Sequence, residues 1–190
     1  MTAETWISVD TETSGPTPAT GSLLAIGACL VDDLEEGIEL LLRPDTSRPW
    51  DAQAASVHGL DRETLLRDGL APRDAMERLA TWLERVVPAG ARPVMIALNA
   101  PFDWMFVADA CWTHLGRNPF GPSALDLKAL YLGRHLDELE RWADTARVRM
   151  LERYPVALPH THHALDDARE QALLCRAIRE GPRWPASPRS

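Results

Sequence analysis

The chain is almost without lysine: Lys128 is the single one among 20 basic residues. Positive charge is scarce overall, since 28 acidic residues leave a net charge of −8. That balance argues against a broad basic face for gripping duplex DNA. It leaves phosphate chemistry open, because bound cations offset a carboxylate-rich site. Genomic base composition accounts for the arginine bias; clamping of phosphates by guanidinium forks would need arginines clustered at one place. No apolar run is long enough to cross a bilayer, so no membrane association is expected. The first residues, Met-Thr-Ala-Glu-Thr, lack the basic segment and apolar stretch of a secretory signal. Cysteines are few, and Cys29, Cys111 and Cys175 lie far apart in apolar runs. They read as reduced core thiols of a cytoplasmic protein.

What is present suits an ordinary globular domain. Apolar residues make up 45% of 190 residues, enough for one sizeable core. No internal repeat and no second domain is evident. Residues 1–182 are expected to form a single domain, and the Pro- and Ser-containing end, 183–190, a disordered tail.

Strands are expected at residues 5–10, 22–31 and 37–43, the first three forming an antiparallel meander. Pro72 suits the first turn of a helix running to about Val87, with Ala75, Leu79, Trp82, Leu83 and Val86 at helical spacing. A fourth strand is read over 92–98 and a helix over 102–115, stopped by Gly116. A short fifth strand follows at 124–127. Further helices are read over 128–133, 136–153 and 164–180, the last stopped by Gly181-Pro182.

Three short motifs carry the chemistry. The first, Asp10-Thr11-Glu12-Thr13-Ser14-Gly15, ends the apolar run Trp6-Ile7-Ser8-Val9. Residues two apart on a strand share a face about 6.5–7 Å apart, so Asp10 and Glu12 project together while Thr11 faces away. Such a pair can hold two Mg²⁺ ions roughly 3.5–4 Å apart. Taken alone, so short a pattern favours the bland reading, a solvated strand end.

The second motif, Asn99-Ala100-Pro101-Phe102-Asp103, follows the run Val94 to Leu98. An acid in the first turn of a helix is explained by the helix dipole alone. The sharper reading makes Asp103 a third carboxylate beside metals, with Asn99 and Phe102 placed to touch a nucleotide by hydrogen bond and by stacking. Phe102 as plain core is equally compatible. Trp104, Phe106 and Trp112 could stack on bases, but after a buried strand they read as core.

The third motif, His162-His163-Ala164-Leu165-Asp166-Asp167-Ala168, opens the last helix. Asp167 borders the apolar stripe Ala164, Leu165, Ala168, Ala172 and Leu173, and an inward carboxylate needs a partner or a metal. Asp166 points elsewhere and reads as a surface acid. Histidine is the residue type suited to take a proton from a metal-bound water. Without the other motifs, His160, His162 and His163 would read as an exposed loop cluster or an adventitious zinc site.

Together the motifs resemble those of the DEDD superfamily of 3′–5′ exonucleases, in the branch with a catalytic histidine. That branch includes ribonuclease T, oligoribonuclease and the proofreading subunit of bacterial replicative polymerase. Asp10-x-Glu12, Asn99-x-x-Phe102-Asp103 and His162-x-x-x-x-Asp167 correspond to the three family motifs, over residues 6 to about 178. Val57-His58-Gly59-Leu60 resembles the family's substrate-side loop. The tyrosine branch carries Tyr four residues before the last Asp; here that position is His163. His162 stands five before, where the histidine branch has its base.

The resemblance implies an α/β, ribonuclease H-like fold, with a five-stranded mixed sheet flanked by helices. It implies two Mg²⁺ (or Mn²⁺) cofactors held by Asp10, Glu12, Asp103 and Asp167, Asp103 acting directly or through water. It makes His162 the general base and Thr13, His58, Asn99 and Phe102 contacts to the terminal nucleotides. The implied reaction releases 5′-mononucleotides from 3′ ends of RNA or single-stranded DNA. Stand-alone relatives suggest a homodimer.

Two rivals bear on the same residues. Asp10-Thr11-Glu12-Thr13 also resembles the Asp-x-Asp-x-Thr motif of haloacid-dehalogenase-type phosphatases. Those place Asp second, need a downstream lysine, and leave Asp103 and His162 unused. A catalytically weak nucleic-acid or polymerase-binding module of the exonuclease fold usually loses one or more acids, whereas all are present here.

Overall fold

The computed structural model describes residues 2–158 and 161–181. The tail expected at 183–190, with Pro182 and His160, lies outside the described residues. Five strands form one mixed sheet in the order β3-β2-β1-β4-β5: β1 Glu4–Thr13, β2 Leu23–Leu30, β3 Gly37–Leu41, β4 Arg92–Ala97 and β5 Leu125–Asp126. β1, β2 and β3 make the expected antiparallel meander. β4 then runs parallel to β1, and β5 parallel to β4. A parallel neighbour needs a long crossover. The stretch between β3 and β4 provides it, through α1 Ala52–His58, α2 Arg62–Asp68 and α3 Pro72–Val86.

The pleat divides the core in two. Ile7 and Val9 of β1, Ile26 and Ala28 of β2 and Met95 of β4 pack with α3 and with α4 (Ala100–Leu115), through Met76, Leu79, Val107 and Cys111. Trp6, Cys29 and Ile96 join the opposite layer, made by α5 Leu127–Arg134, α6 Arg147–Arg153 and α7 Ala164–Glu180. All three cysteines are buried and free, and burial pushes their thiols up, to about 12 for Cys29 and Cys175 and about 11 for Cys111. That is the inert core behaviour expected of them. No helix of the described residues is long and apolar enough to cross a membrane.

Two segments differ from the sequence reading. The helix expected over 136–153 is instead a turn, a 3₁₀ helix at Trp142–Thr145 and the short α6. Asp144 causes the break: its carboxylate accepts from the Arg141 backbone and guanidinium and pairs with Arg149, while Thr145 Oγ1 donates to the Trp142 carbonyl. Such local side-chain bonds compete with a continuous helix. The stretch before Pro72 holds α1 and α2, for which no helix was expected. Each has an aspartate N-cap, Asp51 accepting from Gln53 N and Ala54 N, and Asp61 from Thr64 N. At seven residues apiece these helices are too short to show a convincing period. Trp112 lies on the outer side of α4 and is 61% exposed, so it is not core.

Candidate metal centre

Because β1 and β4 are parallel neighbours, their C-terminal ends lie at the same edge of the sheet, where open α/β sheets bind ligands. β1 delivers Asp10 and Glu12 there on the α7 side of the sheet. Gly27 is the residue opposite Asp10 on β2. A Cβ on Gly27 would lie 2.0 Å from the Ala164 carbonyl carbon and 2.2 Å from Leu165 N. The missing side chain is therefore what lets the first turn of α7 close onto β2 beside Asp10. That approach carries Asp167, 1% exposed, to the pair. One carboxylate oxygen from each of Asp10, Glu12 and Asp167 lies within 4.8 Å of the others. Asp166 turns outward to Arg169.

Asp103 arrives from the other side. Thr11, which the pleat turns away from Asp10 and Glu12, donates to Asp103 Oδ1 from both its backbone N (3.0 Å) and Oγ1 (2.8 Å). Asp103 is thereby fixed in the first turn of α4, outside the three-carboxylate cluster but close enough for its charge to act on Asp10 and Glu12.

The electrostatics show what the cluster lacks. Burial is the main force raising Asp10 well above the ordinary carboxylate range, with Asp103, Glu12 and Asp167 adding to it; a hydrogen bond from Gln171 opposes the shift. Glu12 is pushed up to about 8 by burial and by the charges of Asp167 and Asp103. Asp103 rises to about 7, again by burial, with Thr11 working against it and Asp126 reinforcing it. At an effective dielectric of about 20, two unit charges within 4.8 Å repel by about 3.5 kcal/mol or more. Among the described residues Glu12 has no recorded hydrogen bond or ion pair, and no arginine bonds to Asp10 or Asp103. An all-oxygen, partly buried donor set with this excess of negative charge fits a hard divalent cation.

The histidines separate by position. His162 is exposed and has φ of 57°, an uncommon backbone for a residue with a side chain. Its neighbour Thr161 donates through the backbone to Asp167 Oδ1 at 2.9 Å, so the histidine loop is tied to the cluster. His163 points instead to β3, with Nδ1 3.1 Å from Glu39 Oε1. His58 ends α1, which is stitched to the loop after Glu12 by Asp51 N to the Ser14 carbonyl and Ser14 Oγ to the Pro49 carbonyl. The Leu60 amide donates to His58 Nδ1, which assigns the proton of the neutral ring to Nε2. Burial lowers the pKa of this ring, and Nε2 is buried without a hydrogen-bond partner among the described residues, a donor available to a ligand.

Asn99 is exposed at the end of β4 with φ of 65° and makes no side-chain cap bond to α4. Phe102 is half-buried, its ring tilted against Phe106 at 5.3 Å. Thr13 is buried, donating to the Gly15 carbonyl at 3.0 Å just past a register shift in β1. Lys128, the candidate lysine of a phosphatase reading, has its Nζ over the Trp142 ring at 4.6 Å. The sequence reading missed Thr11, Gly27 and Gln171. Gln171 alone had a usable signal, since it follows Asp167 by one helical turn and shares its inward face.

A family model described as an exonuclease family, RNase T, matches residues 7–175. The 3′–5′ DNA exonuclease Cap18 of Escherichia coli is 41% identical over 177 residues, covering 92% of this chain and 91% of its own. In fold the chain is similar to the nuclease domain of 3′hExo, a DEDDh family member bound to rAMP. That match has a TM-score of 0.76 at 14% identity and covers 93% of this chain and 92% of the other. E. coli exonuclease I in complex with a dT13 oligonucleotide is similar at a TM-score of 0.70 and 16% identity, over 95% of this chain and 41% of the enzyme.

Proposed function

Because the chain belongs to the RNase T exonuclease family, we propose that it removes 5′-mononucleotides from the 3′ end of single-stranded DNA, with two Mg²⁺ or Mn²⁺ ions as cofactors. The observation that carries this reading is the gathering of Asp10, Glu12 and Asp167, with Asp103 fixed behind them by Thr11. DNA is favoured over RNA by the likeness to a DNA exonuclease over nearly the whole chain.

Asp10, Glu12 and Asp167 would hold one cation, and Asp103 would serve the second, directly or through water. Ions held there would lower the pKa of a water and stabilise the departing 3′ oxygen. His162 would serve as the general base, accepting a proton at a ring nitrogen from the attacking water. The His58 Nε2–H, Asn99, Thr13 and the Phe102 ring receive the terminal nucleotides, positioned around the ends of β1 and β4.

A panel of 3′- and 5′-labelled oligonucleotides tests activity, polarity and sugar together. We expect mononucleotide release from the 3′ label on single-stranded DNA, dependent on Mg²⁺ or Mn²⁺. Faster digestion of matched RNA would overturn the choice of DNA. Release of inorganic phosphate from monoesters without chain shortening would overturn the exonuclease reading itself.

A further inference from the structure

Gln171 is 5% exposed and lies one turn beyond Asp167 on the inward face of α7. Its two amide ends are both engaged, and with different elements. Oε1 accepts from the Leu98 backbone N at 2.8 Å, at the end of β4. Nε2 donates to Asp10 Oδ1 at 2.6 Å. The orientation of the amide follows from chemistry: Leu98 N–H can only donate, so it must face the oxygen, and the NH₂ end must face Asp10. Gln171 is thus a neutral brace between the first carboxylate of the cluster and the backbone one residue before Asn99. It is also a cation-free way to hold Asp10. An arginine or lysine here would supply a donor too, but would satisfy the negative charge that makes the cluster a cation site.

We infer that Gln171 is a positioning residue for the metal centre, holding the Asp10 carboxylate in its coordinating orientation by donation from Nε2 while its Oε1 registers α7 against the end of β4. This rests on the reading of Asp10 as a metal ligand. Residues that orient ligands in this way typically change metal affinity or activity by about 10–100-fold when replaced. The side-chain bonds of Gln171 go to Asp10 and the Leu98 backbone, so its loss should act on metal binding and turnover and spare oligonucleotide affinity.

Two substitutions in the full chain separate positioning from scaffolding. Gln171→Met keeps length and helix propensity but removes both bonds. Gln171→Glu keeps the acceptor for Leu98 N–H and replaces only the donor to Asp10. Mn²⁺ binding is read by calorimetry without nucleic acid, and kcat and KM on a single-stranded DNA oligonucleotide in saturating Mn²⁺. Both variants are expected to bind Mn²⁺ about 10–100-fold more weakly than wild type, with kcat reduced and KM unchanged. Should Gln171→Met fail to fold, Gln171→Glu decides alone, because its β4 contact survives. Mn²⁺ binding by Gln171→Glu as tight as wild type, or tighter, overturns the inference and reduces Gln171 to a cap on the Leu98 amide. Absence of Mn²⁺ binding by the wild type would instead overturn the metal-centre reading beneath it.

Discussion

Acidic side chains meet opposite surroundings in two regions of this molecule. In the corner built by α5, the 3₁₀ helix and α6, Glu138 pairs with Arg153, Asp144 with Arg141 and Arg149, and Glu170 of α7 with Arg147. Guanidinium hydrogen bonds hold Glu138 and Asp144 below the usual carboxylate range. At the ends of β1 and β4, Asp10, Glu12 and Asp103 are held, among the described residues, by neutral donors, Gln171 and Thr11, or by none, and all three are raised. The two regions are close in the chain: Glu170 follows Asp167 by three residues and has an arginine. Arginine is therefore at hand, yet none among the described residues bonds to Asp10 or Asp103. The contrast teaches that the site's negative charge is a feature of the arrangement, completed by something the protein binds.

The largest effects should come from removing acids of the metal centre. Asp10→Ala and Asp167→Ala are each expected to reduce metal-dependent hydrolysis to the limit of detection while circular dichroism shows the fold intact. Relief of like-charge repulsion should raise the melting temperature of the Asp10→Ala protein in chelator. Substantial activity in either variant would end the distinction between the two regions.

Next in size is the histidine. His162→Ala is expected to lower kcat by about 10²–10⁴-fold, the usual contribution of a general base, with Mn²⁺ binding retained. His163→Ala removes a partner of Glu39 on β3 and should leave kcat near wild type. Greater damage from His163→Ala would shift the third motif by one residue.

How much of this was legible in the sequence depended on whether the signal was local. Apolar runs placed the strands, the acids stood at a strand end and at helix starts, and the family resemblance joined Asp10, Glu12, Asp103 and Asp167 into one site. Gly27 could not. It sits inside the run Leu23–Leu30, and its need arises only when α7, far along the chain, closes onto it. Thr11 was read as facing away; it does, and there it meets Asp103. The 136–153 stretch was misread because arginine–aspartate bonds override helix propensity. Gly27→Ala makes the hidden constraint measurable. Backbone, not a flexible side chain, stands 2.0 Å from the new methyl, so α7 must move. We expect a loss of about 1–3 kcal/mol in denaturant unfolding, and a fall in activity, since Asp167 moves with the helix. Wild-type activity in Gly27→Ala would mean that the approach of α7 to Asp10 is looser than drawn.

The smallest effect, and the one that sharpens the comparison most, is the pH dependence of the metal-free protein. Glu12 is raised from 4.5 to about 8 and Asp103 from 3.8 to about 7. For both, the folded pKa exceeds the unfolded one, so the folded state favours the protonated form. Their stabilising contribution is complete below the unfolded values and is lost as pH climbs through the folded ones. Asp144 and Glu138 are lowered, so their contribution has the opposite sign: present above the ordinary carboxylate range and lost in acid. In chelator, the melting temperature should therefore decline between pH about 5 and about 8, against the direction set by the arginine-paired corner. Glu12→Gln should flatten that decline, and Asp144→Asn should leave it in place. Saturating Mn²⁺ should reverse it, because cations bind the deprotonated carboxylates and only the folded state gathers them. A flat metal-free profile across this window would show that the cluster's charges are neutralised by the protein after all.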